Sequence, residues 1–127
     1  MGKSRVLALG FVALATGCGS PQADGRDAFA DDRSVIQVVS TNVQGKNIYI
    51  PGTIVVTAGR SQTLQIFNTT DVPHGFSIAG LGVQEVLPAG EEHEVKLSGL
   101  EGGKVHHIHC HLHPAHRSGT LLVLPGA

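Results

Sequence analysis

The chain has 127 residues, with 9 basic and 10 acidic side chains, a formal charge of −1 and 15% charged residues. That length suits one domain, and so balanced a charge gives no electrostatic case for a nucleic-acid partner. With no Trp and a single Tyr, the chain also lacks the aromatics of a base-stacking surface.

The opening stretch, "MGKSRVLALGFVALATGCGS", sets Lys3 and Arg5 ahead of an apolar run from Val6 to Ala15 and ends in small residues. This is the pattern of a secretory signal over residues 1–17, too short for an ordinary transmembrane helix. Its end, "LATGC", resembles a bacterial lipobox, which makes Cys18 the lipidated first residue of the mature chain; a simple cleaved signal is the other reading. Either way the domain is expected outside the cytoplasm. In the lipobox reading it sits on the periplasmic side of a bacterial membrane, held by its lipid alone. Cleavage before Cys18 removes Lys3 and Arg5 and no acid, which leaves seven basic against ten acidic residues and a charge of −3.

After Cys18, the stretch "GSPQADGRDAFADDRS" (19–34) is small, polar and acidic, with no apolar run. Such a composition buries too little surface to offset the entropy of ordering, so 18–34 reads as a lipidated cysteine and flexible tether. The texture changes at Val35. "VIQVVST" and "NIYIPGTIVVTAG" are rich in β-branched residues and broken by Pro51, Gly52 and Gly59, the signature of strands and turns. "QTLQIFN" puts Leu64 and Ile66 on one face, "HEVKLSG" does the same with Val95 and Leu97, and "GTLLVLPG" supplies a closing strand. No segment of 35–127 sustains a helical period. The expectation is an all-β domain over 35–127, a small antiparallel Greek-key sandwich or barrel, with Tyr49, Phe67 and Phe76 in its core.

Cysteine arithmetic sharpens the reading. If Cys18 carries lipid, Cys110 has no partner within the chain, and an exported free thiol oxidises unless something occupies it. Around it, "KVHHIHCHLHPAHRSGTLLVL" packs six of the eight histidines between residues 106 and 116. With Lys104–Cys110 as a strand, His106, Ile108 and Cys110 share one face and His107 and His109 the other. Ile108 is apolar, so Cys110 points inward. A turn helped by Pro114 can then bring His113 and His116 back over the sulfur. A fourth donor must come from elsewhere, and His74 in "NTTDVPHGFSI" is the candidate. Asp71 is either a brace for its loop or a turn former. The remaining histidines, at 93, 106, 107, 109 and 111, are expected on surfaces, in ordinary hydrogen bonds or at a second, weaker metal site.

One thiolate with two imidazoles and a weak further ligand favours copper and builds electron-transfer sites. Structural zinc uses paired cysteines or finger spacings, which are lacking here. At this point the domain resembles the cupredoxins. The resemblance is carried by "IPGTIVVTAG", "QTLQIFNTTDVPHGFSI", "VLPAG" and "CHLHPAHRSGTLLVL", which cover most of residues 48–124. It implies a cupredoxin-like sandwich in which His74 and His113 are the equatorial imidazoles, Cys110 the thiolate and His116 the axial ligand, where amicyanin, with a similar Cys-x-x-His-Pro-x loop, has methionine. "HGFSI" and "VLPAG" also resemble the copper-A domains of cytochrome c oxidase subunit II and nitrous oxide reductase. Those use two loop cysteines, however, and this loop has one. "HCH" is similar to multicopper oxidases, which need further His-x-His pairs, whereas outside the terminal cluster only His74 and His93 remain.

The function these residues imply is one-electron transfer by a single copper, with redox proteins as partners. One alternative is a trafficking protein that delivers copper to a cuproenzyme; another is a perturbed-copper enzyme acting on a small molecule. The sequence sets no oligomeric state.

Overall fold

The computed structural model describes residues 34–126. The expected signal sequence, Cys18 and nearly all of the expected tether lie outside the described residues. Nine strands make up the domain: β1 (Val35–Val43), β2 (Lys46–Ile50), β3 (Thr53–Thr57), β4 (Gln62–Asn68), β5 (His74–Ile78), β6 (Val83–Leu87), β7 (Glu92–Leu97), β8 (Val105–Ile108) and β9 (Gly119–Leu124). The one helical element among the described residues is a single 3-10 turn, Ala79–Leu81.

One sheet has the order β2-β1-β4-β7, a second the order β3-β9-β8, and β5 and β6 form a hairpin. Along β4 the side chains of Gln62, Leu64, Ile66 and Asn68 are buried, while those between are partly or fully exposed, the period of two expected of a strand with one covered face. Val38, Leu64, Ile66, Val95 and Leu97 of the first sheet meet Ile54, Val56, Ile108, Leu121 and Val123 of the second in one core. At about 1.5–3 kcal/mol per fully buried aliphatic side chain, this alternation is the main driving force of the sandwich.

Two expectations need correction. The sandwich is mixed: β1 pairs with β4 in parallel, Val35 opposite Thr63, and β3 pairs with β9 in parallel, Thr53 opposite Thr120. Between β1 and β4 the chain leaves for the other sheet through β3 and returns, and hydrophobic alternation carries no information about strand direction. Phe67, expected in the core, is 42% exposed. Leu64 and Ile66 take the inward positions of β4, so the next residue must face out. Tyr49 and Phe76 are buried as expected.

What positions the site is the way β5 is held. All five of its residues are buried. One edge pairs with β6, His74 opposite Leu87; at the other, Ser77 and His109 exchange main-chain hydrogen bonds of 2.9 and 3.0 Å. This single bridge locks the segment that begins at His74 to the segment that ends in Cys110.

Candidate metal centre

Expected in a loop, His74 is instead the first residue of β5, and the loop that delivers it is 69–73. That loop is shaped by Asn68, which is fully buried at the end of β4. The Asn68 Nδ2 group donates to the carbonyls of Val72 (2.9 Å) and Leu87 (3.1 Å), while Oδ1 accepts from the main chain (3.0 Å) and the hydroxyl (2.7 Å) of Thr70. Leu87 is the residue paired with His74, so one carboxamide fixes both the loop and the strand beside it. Asp71 is exposed, and the bracing falls to Asn68 instead.

Cys110 follows the end of β8, is 5% exposed and forms no disulfide. As the alternation predicted, Ile108 and Cys110 are buried while His107 is exposed. The amide of Gly75 donates to Cys110 Sγ at 3.1 Å. After Cys110 the chain turns: the amide of His116 donates to the carbonyl of His113 at 3.0 Å, with Pro114 at the second position of the turn, where its fixed φ belongs. The loop is then tied to β2 by the Arg117 amide and the Asn47 carbonyl (2.9 Å).

This folding brings His74, Cys110 and His113 together, with one donor atom from each lying within 4.8 Å of the others. His113 Nδ1 stands 3.8 Å from Cys110 Sγ, and the rings of His74 and His113 meet edge to face at a centroid distance of 4.9 Å. His116 is buried beside them, its ring 5.2 Å from that of His74, but it does not belong to the group of three mutually close donors.

The donor chemistry fits a metal. Both nitrogens of His74, although buried, have no hydrogen-bond partner among the described residues, and neither does Nε2 of His116. Buried polar atoms left unpaired are costly and rare, and a bound ion would satisfy them. His116 Nδ1 lies 2.8 Å from the carbonyl of Arg117; a carbonyl only accepts, so Nδ1 carries the proton and the neutral ring offers Nε2 as a lone pair. Burial, reinforced by the neighbouring His116 and His113, lowers the pKa of His74. Burial also lowers that of His116, against the raising effect of its bond to the Arg117 carbonyl. Both rings are thus held neutral, the form that binds metal. A thiolate and two imidazoles are soft and borderline donors, and copper is the ion that this set fits.

Three residues not singled out as site residues in the sequence complete the surroundings. Tyr49, read there only as core, donates from its hydroxyl to the Gly75 carbonyl at 2.6 Å and lays its ring against His116 at 4.2 Å. Burial, and then the charge of Cys110, push its pKa far up, so the phenol stays protonated. Gly75 leaves no room for a side chain: a Cβ there would lie 2.5 Å from His111 Nδ1 and 2.8 Å from the His111 main-chain nitrogen. Ser77 Oγ holds His111 Nδ1 at 2.7 Å. A glycine inside a strand pattern, directly after a candidate ligand in "HGFSI", was the available signal for close backbone approach. His93 makes an ordinary bond to Glu85 at 3.1 Å.

The model of the family described as "Cupredoxin-like domain" matches residues 7–123. Among solved structures, the fold is similar to the multicopper oxidase mgLAC, with 21% identity, a TM-score of 0.58, and coverage of 73% of this chain and 39% of that one. It is also similar to a blue copper oxidase from Nitrosomonas europaea, with 17% identity, a TM-score of 0.55 and the same coverages. The chain thus spans about two fifths of the length of these two oxidases. Amicyanin, as a proline-to-phenylalanine mutant in the reduced state, aligns at 19% identity with a TM-score of 0.52 over 70% of this chain and 81% of its own. A comparison with curated proteins gives no match.

Proposed function

The chain belongs to the cupredoxin-like domain family, and from that premise we propose that it is an extracytoplasmic, lipid-anchored protein that carries single electrons on one copper. The observation that carries this reading is the convergence of His74, Cys110 and His113, with both His74 nitrogens buried and without another partner among the described residues.

Copper, when bound, supplies a one-electron couple. The contribution of the chain is to keep the donors still. His74 starts a strand paired along one edge with β6 and bridged at Ser77 on the other, Cys110 directly follows the bridge residue His109, and His113 opens a turn closed by the His116 amide. Donors fixed by a β framework change little between oxidation states, and little rearrangement means fast exchange. His74 and Cys110 are enclosed, whereas His113 is partly exposed and flanked by the exposed Leu112 and Pro114. His113 therefore serves as the electron's route to a redox partner, with an apolar rim for transient contact. In this reading His116 would supply a further donor to copper through Nε2, which is buried and unpartnered among the described residues.

The anchoring rests on the sequence of residues 1–18. Within the described residues, no helix is long and apolar enough to cross a membrane.

The test is the optical and paramagnetic resonance spectrum of the copper-loaded protein. One copper per chain, a sulfur-to-copper charge-transfer band lost in Cys110→Ser, and rapid reversible reduction are expected. A copper spectrum with no sulfur contribution would refute the assignment. Copper delivery to a cuproenzyme is favoured by one specific feature, the histidines that stand at the surface beside the buried group; it predicts that copper passes to a recipient apoprotein faster than it dissociates.

A further inference from the structure

Beyond the buried group, two histidines face out of the sandwich side by side. His107 and His109 lie two apart at the end of β8, on the face opposite Ile108, and their rings stack at a centroid distance of 6.0 Å and an interplanar angle of 25°. His107 is exposed and His109 partly so. Other histidines of the domain have polar partners for their rings: His93 has Glu85, His111 has Ser77 and His116 has the Arg117 carbonyl. Within the described residues, the imidazole of neither His107 nor His109 has a hydrogen bond or an ion pair.

We propose that His107 and His109 form a second, solvent-exposed Cu(II) site, separate from the buried one. Its two protein ligands are adjacent imidazoles on one strand face, and water completes the coordination. A metal–imidazole bond of about 2.0–2.1 Å puts each ring centroid about 3.2 Å from the ion, so two rings on one ion have centroids no more than about 6.4 Å apart. The observed 6.0 Å falls inside that limit. The exposed His107 ring is free to turn its donor toward the shared ion, while pairing with Thr120 holds the main chain of His107 and the bridge to Ser77 holds that of His109. Imidazole pairs with open positions suit borderline divalent ions, and of these Cu(II) binds most tightly. His111, the other neighbour of Cys110, is not part of the pair. Its Nδ1 is engaged by Ser77, and its ring lies against Gly75.

The full chain is titrated with Cu(II) while absorbance and paramagnetic resonance are recorded. Two coppers per chain are expected: one with the sulfur charge-transfer band, the other with a tetragonal, nitrogen-coordinated signal and no such band. His107→Gln and His109→Gln should each weaken the second copper by about tenfold or more, since even the loss of a group that only supports a ligand costs that much. The double variant should lose it while the sulfur band stays unchanged. Both side chains lie at the surface, so the variants keep the core intact. A single copper in the unaltered chain, or a second copper that survives in the double variant, overturns the proposal. If the nitrogen-coordinated copper appears and depends on both histidines while no sulfur band forms, the exposed site stands and the buried copper reading fails.

Discussion

The amide of Gly75 donates a hydrogen bond to the sulfur of Cys110 at 3.1 Å, across 35 residues of sequence. The residue that follows one metal donor is thereby hydrogen-bonded to another. The contact requires a glycine, because any side chain at position 75 runs into the main chain and ring of His111.

Gly75→Ala is therefore expected to destabilise the metal-free protein by about 1–3 kcal/mol, the usual cost of forcing an extra methyl into a packed site. The displaced amide should also weaken its bond to sulfur and lower the copper potential. Chemical denaturation and a redox titration check the two effects. An unchanged melting curve would mean that the His111 segment yields freely.

Tyr49→Phe removes the hydroxyl that donates to the Gly75 carbonyl at 2.6 Å and keeps the ring against His116 and Phe76. The loss should be about 0.5–1.5 kcal/mol, the net worth of one hydrogen bond, with copper stoichiometry preserved. Tyr49→Ala also removes the ring beneath His116 and should cost about 3–5 kcal/mol. Urea melts of the two variants separate the hydroxyl from the ring.

His116→Met tests the axial assignment. Imidazole is a stronger donor to Cu(II) than a thioether, so His116, if it holds the copper, would favour the oxidised state. The unaltered protein should have a lower potential and a greener or redder colour than blue cupredoxins, and the methionine variant should move toward blue with a raised potential. If neither colour nor potential changes, His116 is not a ligand.

Burial lowers the pKa of both His74 and His116 in the metal-free protein. Below their unfolded value of about 6.5, the unfolded chain binds protons that the folded chain resists. Stability contributed by these rings is thus present above that pH and lost as pH falls toward the depressed folded values. The urea midpoint of the metal-free protein should drop between about pH 7.5 and 5.5, on either side of that unfolded value. Copper held more tightly by the folded chain than by the unfolded one should raise the midpoint at neutral pH.

A chain that begins at Asp32 should fold and load copper like the full chain. The first strand starts at Val35, and the preceding stretch has no apolar run to contribute to a core. Circular dichroism and copper stoichiometry check this. Failure to fold would assign the tether to the domain.

Much of this protein could be read directly from its residues, because strand periodicity and donor chemistry are local properties. The alternation in "QTLQIFN" and the strand through Ile108 put Leu64, Ile66 and Cys110 inside, and the resemblance carried by "DVPHGF" and "CHLHPAH" named the three donors that converge. What the sequence left undetermined depends on which segments become neighbours. Strand direction in the β1–β4 and β3–β9 pairs follows from where the chain crosses between sheets, and alternation looks the same in either direction. Phe67 faces out because Leu64 and Ile66 take the inward side of β4, a choice of face that hydrophobicity alone misassigned. Asn68, Gly75 and Ser77 matter through bonds to Leu87, Cys110 and His111, contacts that span 19 to 35 residues and leave no periodic trace. The sequence determined which atoms could bind a metal. Tertiary packing decided which of them are buried, unpaired and close enough together to share one.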